Sequence, residues 1–162
     1  MTDIMKKLFL LRHAKAENLA PGSSDLERKL NESGRKQAQA LALFLQEQNI
    51  KPDLVLCSPA ARARETTEIV LATAGLPARV DYDQAMYEAG PTVLLQLISK
   101  IDNGANTALM VGHNPGTEEL VRLLTNRAEQ MSTCTLAEIT FDTDDWSKVA
   151  PGHGTLEQLV RP

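Results

Sequence analysis

Leu8-Phe9-Leu10-Leu11-Arg12-His13 is an uncharged apolar run that ends abruptly in two side chains able to hold phosphate, and its reading decides the fold. A run this short is compatible with a buried strand or a piece of buried helix. Phe9 within it and the turn-forming Ala20-Pro21-Gly22-Ser23 soon after it favour the strand. In open α/β sheets ligands gather at the carboxyl ends of the strands, so this strand would deliver Arg12 and His13 to the functional edge. Many strands end in a polar dipeptide for no chemical reason, and the pair acquires meaning only through partners elsewhere in the chain.

Those partners follow the same grammar. Ala14 to Lys29 is polar and reads as a loop folding over the strand end, where loops often carry binding groups. Asn31 offers an N-cap to a helix whose apolar face is Ala38, Leu41, Ala42 and Leu45 and which ends before Pro52. Leu54-Val55-Leu56-Cys57 is a second strand. Ser58-Pro59 after it reads as an N-cap with proline at the first helical position, for a helix running to about Ala74. That helix carries Arg62 and Arg64 in its first turn, where the macrodipole disfavours cations unless an anion offsets them. Pairing with Glu65 or Glu68 on a solvated face suits Arg64; Arg62, nearest the strand tip, is the candidate for a site.

Ala78 to Tyr82 reads as a short strand, and Met86 to Pro91 as a loop carrying Glu88. Thr92 to about Ile101 reads as a helix with Val93, Leu94, Leu97, Ile98 and Ile101 on its apolar face. Thr107-Ala108-Leu109-Met110-Val111-Gly112 is a third apolar strand, and His113-Asn114-Pro115-Gly116 a turn into a helix through about Leu124, so His113 occupies a place equivalent to that of His13. Leu136 to Phe141 is expected as an edge strand, Asp142 to Asp145 as a tight acidic turn, and Leu156 to Val160 as a last short strand. Strands alternating with helices predict a three-layer α/β/α sandwich with a mostly parallel central sheet. Such a sheet would bring Arg12, His13, Arg62 and His113 together at one edge. Two guanidiniums and two imidazoles there make an anion site, since the planar arginine fork donates two hydrogen bonds at once and helix starts add backbone N–H groups.

Bulk properties narrow the partners. At 162 residues one domain over 1–162 is expected, and a net charge of −4 argues against a general nucleic-acid binder. No apolar run is long enough to span a bilayer, and Met1 to Lys7 leads into a run too short for a secretory core, so no membrane association and a cytoplasmic location are expected. Cys57 and Cys134 are far apart and lack metal-ligand spacing; free thiols, no metal and no cofactor are expected. His153, between Gly152 and Gly154, reads as exposed. A cysteine-phosphatase reading of Cys57 fails on spacing: five residues should separate cysteine from arginine, whereas four precede Arg62 and six precede Arg64.

Taken in order, these motifs resemble the histidine phosphatase superfamily, also called the phosphoglycerate-mutase-like fold. Leu11-Arg12-His13-Ala14-Lys15-Ala16 is similar to its first motif, Ser58 to Thr66 to its second, and Val111-Gly112-His113-Asn114-Pro115 to its third; Leu30-Asn31-Glu32-Ser33-Gly34 resembles its intervening helix start. The short length, Ala14-Lys15-Ala16 and Met86-Tyr87-Glu88-Ala89 look most like the SixA-type phosphohistidine phosphatases. Ala14 departs from the glycine common after the histidine, which requires a negative φ there. The long insertion over the site of mutases and acid phosphatases is absent, which implies an open mouth.

The resemblance implies a metal-independent phosphatase. His13 would attack phosphorus as neutral imidazole and form a phosphohistidine, and Arg12, Arg62 and His113 would hold the equatorial oxygens. The superfamily often places its acid where Glu88 stands, which makes Glu88 the candidate proton donor; a solvated loop carboxylate is the competing reading. The implied partners are a phosphohistidine protein or a small phosphoester, and the alternatives are a small-molecule phosphomonoesterase or a phosphate-recognising module without turnover.

Overall fold

Apolar runs bounded by turns become strands here, and the amphipathic stretches between them become helices. The computed structural model describes residues 5–162. The elements are β1 (Lys6–Arg12), α1 (Glu32–Glu47), β2 (Leu54–Cys57), α2 (Ala61–Ala74), β3 (Arg79–Tyr82), α3 (Pro91–Ser99), β4 (Thr107–Gly112), α4 (Gly116–Thr125), β5 (Leu136–Phe141) and β6 (Gly154–Val160). Single 3₁₀ turns lie at Asp25–Glu27, Gln84–Met86 and Trp146–Lys148.

The strands form one sheet in the order β3-β2-β4-β1-β5-β6. β3, β2, β4 and β1 pair in parallel, and β5 is antiparallel to both β1 and β6. Side chains alternate between two cores, as the pleat requires. Phe9, Leu11, Val55, Cys57, Leu109 and Val111 pack under Leu41, Leu45 and Val70 of α1 and α2. Leu8, Leu10, Ala108 and Met110 pack under Leu94, Ile98, Leu120 and Val121 of α3 and α4. The expected three-layer α/β/α architecture is present, and burial on both faces explains why β1 and β4 read as continuous apolar runs.

Three local expectations are corrected. β5 is interior, because seven-residue β6, reaching back to Gly154, pairs along its whole length and takes the edge. α2 starts at Ala61 with Ala60 as N-cap, so Ser58 and Pro59 precede the helix; the Ser58 hydroxyl accepts from the Ala60 N–H and faces the strand tips. Arg64 is exposed and makes no ion pair among the described residues, since Glu65 is turned to accept from the Leu30 N–H. The Asn31 cap of α1 forms as expected, its side chain accepting from Gly34 N–H.

The segment after His13 is stapled to the start of α1. Asn31 N–H donates to the Lys15 carbonyl, Lys15 N–H to the Gln37 side chain, and Ala16 bridges to Leu30. This approach needs a residue without a Cβ at position 34, where a Cβ would fall 1.9 Å from the Lys15 carbonyl oxygen. Gly34→Ala is therefore expected to destabilise the protein by about 1–3 kcal/mol or more, because a rigid backbone must move. Urea unfolding of the variant checks this, and a loss below about 0.5 kcal/mol, ordinary for a surface site, would contradict the contact.

Candidate active site

Parallel register sets the centre of the site. Arg12 lies opposite Gly112 across the β1–β4 pair, so the next residues, His13 and His113, leave the sheet side by side with ring centroids 5.2 Å apart. Cys57 of β2 pairs with Val111, which brings Ser58 beside the same point.

The backbone around His13 is pinned from three distant segments. His13 N–H donates to the Gly112 carbonyl, Ala14 N–H to the Thr66 hydroxyl, and Cys134 N–H to the carbonyls of both Arg12 and His13. Ala14 is not among the residues at positive φ, so the turn tolerates alanine as required. The imidazole is fixed as well. Its Nδ1 lies 2.7 Å from the Ala14 carbonyl oxygen, which can only accept. The proton therefore sits on Nδ1, and Nε2 keeps its lone pair.

His113 Nε2 lies 2.7 Å from the Ser58 hydroxyl. Arg12 donates from Nη1 to the Met131 carbonyl. Arg62, in the first turn of α2 and 5% exposed, donates from Nη1 to the Asp25 carbonyl and from Nη2 to the Asp25 carboxylate. That carboxylate is the anion expected to offset a cation at a helix start. It also accepts from Arg28 and Tyr87. After these bonds, Arg12 Nε, Arg62 Nε and His113 Nδ1 are buried with no partner among the described residues. Buried polar groups are nearly always paired, so three orphans around one histidine mark a place prepared for a polar ligand.

Electrostatics agree with an anion site. Burial, with His113, Arg62 and Arg12 nearby, pushes His13 down to about 3 despite the opposing bond to Ala14. Burial and Arg62 push His113 down to about 4. Both rings are neutral at physiological pH, and the positive charge belongs to the arginines. The hydrogen bond from Tyr87, with Arg62 beside it, holds the Asp25 carboxyl down to about 2.

A cavity of about 340 Å³ beside this centre is lined by Asp25, Arg28, Arg62, Tyr87, Glu88 and His113 among others, while Arg12 lines a separate recess with Glu118 and Met131. Glu88 stands exposed at the mouth of the cavity at φ 57°, with no hydrogen bond among the described residues. A larger recess of about 650 Å³ behind the Glu17–Lys29 loop contains none of the four predicted groups. Cys57 is fully buried, donates to the Ser58 carbonyl and is pushed up to about 12 by burial, the opposite of a nucleophilic thiolate. Cys134 is likewise a buried free thiol, and His153 is exposed. Among the described residues no three His, Cys, Asp or Glu side chains cluster to hold a metal ion, and no helix is long and apolar enough to cross a membrane.

All of Arg12, His13, Arg62 and His113 are thus brought together, with Glu88 at the rim. Sequence reasoning missed Asp25, Tyr87 and the role of Ser58. Only the placement of Asp25 in a loop expected to fold over the strand end hinted at the first.

A parallel-sheet α/β domain with a neutral histidine held among arginines defines a class of phosphoryl-handling enzymes, and the comparisons place this chain within it. The family model of the histidine phosphatase superfamily (branch 1) matches residues 8–90. The phosphohistidine phosphatase SixA of Escherichia coli K12 is 26% identical over 160 residues, covering 96% of this chain and 94% of that protein. Among solved structures, a candidate phosphohistidine phosphatase SixA from Nakamurella multipartitia superposes with a TM-score of 0.86 at 26% identity, covering 98% of this chain and 96% of the other. The protein histidine phosphatase SixA complexed with tungstate gives 0.79 at 26% identity, covering 96% and 97%. The chain belongs to the histidine phosphatase superfamily. It is a phosphatase, similar along nearly its whole length to the SixA type.

The two depressed histidines make stability depend on pH with a definite sign. Below the ordinary value of 6.5 the unfolded chain protonates both rings, while the folded chain resists until about 4 and about 3. Their contribution is complete above that ordinary value and declines as the pH falls. At about pH 5 the loss from His13 alone amounts to about 2 kcal/mol. Asp25 adds nothing in this window, since its own loss begins only below 3.8. Urea midpoints should fall steadily under acidification and fall less steeply in His13→Ala; a wild-type profile flat down to about pH 5 would contradict the burial argument.

Proposed function

We propose that the protein is a phosphohistidine phosphatase that works through a covalent phosphoryl intermediate on His13. The observation that carries the reading is the Nδ1 bond to the Ala14 carbonyl, which leaves Nε2 unprotonated, while Arg12 Nε, Arg62 Nε and His113 Nδ1 are buried without partners among the described residues. The resemblance to SixA-type phosphatases supports phosphohistidine on a protein partner as the substrate.

In the first step the Nε2 lone pair attacks phosphorus while the bond to the leaving nitrogen breaks, and the leaving imidazole keeps that electron pair. Arg12 Nε and Arg62 Nε donate to the equatorial oxygens. When the Ser58 hydroxyl donates to His113 Nε2, His113 Nδ1 carries the proton and becomes the third donor. In the second step water attacks phosphorus, the P–Nε2 bond breaks with its electrons returning to the ring, and inorganic phosphate leaves. Glu88, at the rim and free of other bonds among the described residues, takes the proton of that water and returns it to leaving groups that need one. Since the donors are side chains, the reaction proceeds without a metal ion.

Quenching turnover in mild base should trap phosphate on the enzyme, stable to alkali and lost in acid, and His13→Ala should abolish both label and turnover. Arg62→Ala and His113→Ala should each lower kcat by about 10²–10³-fold while a label remains detectable. Activity should survive EDTA, and a phosphohistidine protein should be dephosphorylated faster than a panel of small phosphoesters. An acid-stable label, or one that persists in His13→Ala and vanishes in Cys57→Ser, would overturn the assignment.

A further inference from the structure

The guanidinium of Arg62 is divided between a loop and the site. Nη1 donates to the Asp25 carbonyl at 2.8 Å and Nη2 to Asp25 Oδ2 at 3.0 Å. Nε remains, buried and with no partner among the described residues. Because a guanidinium is planar and rigid, fixing both terminal nitrogens also fixes the direction of the Nε–H bond. Asp25 is itself held from the far side. Tyr87 donates its hydroxyl to Oδ2 at 2.6 Å and Arg28 its Nε to Oδ1 at 3.1 Å. The Tyr87 ring in turn stands edge-on to His113, with centroids 5.7 Å apart and an interplanar angle of 85°. One loop carboxylate therefore ties together the supports of two of the groups that surround the nucleophile.

We propose that Asp25 is a positioning residue for phosphoryl transfer, holding Arg62 by its terminal nitrogens so that Nε–H is the single bond this guanidinium gives to the transferring group. This rests on the reading of His13 as the phosphorylated residue. An ionised carboxylate beside a site for a dianion opposes ground-state binding, so its benefit lies in the transition state, where direction matters most. The opposing possibility is that Asp25 merely occupies Arg62 until phosphate displaces it. The two differ in sign: without Asp25 a positioned arginine becomes a mobile one, whereas an occupied arginine becomes a free one.

The test compares wild type with Asp25→Ala, Asp25→Asn and Tyr87→Phe, using turnover of an aryl phosphate and calorimetric binding of inorganic phosphate and of vanadate, which adopts the five-coordinate geometry of the transition state. Asp25→Ala should lower kcat by about 10–100-fold with KM little changed, the scale of a misplaced reacting geometry. Vanadate affinity should fall in parallel with kcat, while phosphate affinity holds or rises. Asp25→Asn, which keeps an oxygen for one Arg62 nitrogen, should recover part of the loss, and Tyr87→Phe should move vanadate affinity the same way by less. Tighter binding of both anions with a raised kcat/KM would overturn the proposal in favour of displacement. Wild-type behaviour in Asp25→Ala, or equal weakening of both anions together with a lowered Tm in all three variants, would overturn it too. The calorimetric arms need no turnover, so an inactive wild type would refute the phosphatase reading alone, while the vanadate-to-phosphate ratio would still decide the role of Asp25.

Discussion

Because β1 and β4 run parallel with Arg12 opposite Gly112, the next residue on each strand is a histidine, and the backbones leave the two rings no freedom to separate. A slip of one residue would turn one strand inside out relative to the other, since the side-chain period is two. The register is enforced by the cores on both faces: Leu8 and Leu10 belong to one, Phe9 and Leu11 to the other, and all four are at most 2% exposed. Packing that looks remote from chemistry is therefore what sets the 5.2 Å between the imidazoles.

Burial then divides labour between imidazole and guanidinium. Removing a group from water disfavours its charged form, and imidazole, with an ordinary value of 6.5, yields and becomes neutral. Arginine starts so much higher that it stays charged when buried. One environment thus produces a neutral imidazole with a free lone pair beside guanidinium groups. The buried Arg62 charge is tolerable because Asp25 is within a hydrogen bond of it, which also removes the conflict between a cation and the positive end of α2.

Much of this was legible in the sequence, for identifiable reasons. β1, β2 and β4 are apolar runs ended by turn formers, so His13, Ser58 and His113 could be placed at strand tips, and Arg62 followed from its distance behind β2. Ser58 misleads because serine before proline satisfies the rules for a helix start, and only the fold reveals that its hydroxyl faces His113 instead. β5 reads as an edge in the sequence because the partner that covers it begins at Gly154, in a stretch whose glycines and proline read as loop. Asp25 was invisible for a different reason. It lies 37 positions from Arg62, and nothing in a polar loop distinguishes the carboxylate that will meet a guanidinium from those that will meet water.

The histidine's orientation is not a local property at all. Its N–H is held by the strand ending at Gly112, its carbonyl by Cys134, and the following N–H by Thr66, whose hydroxyl in turn donates to the Arg62 carbonyl. Cys134 reaches its position at φ 61°, a conformation that costs a residue with a Cβ about 1 kcal/mol or more. A chain tolerates such strain where the surroundings over-determine it, and here the reward is one N–H shared by two carbonyls at the end of β1. The Nδ1 bond to Ala14 depends on that turn, and the free Nε2 depends on the bond. The orientation of the His13 imidazole is therefore a consequence of tertiary structure, assembled from β4, α2 and the segment before β5.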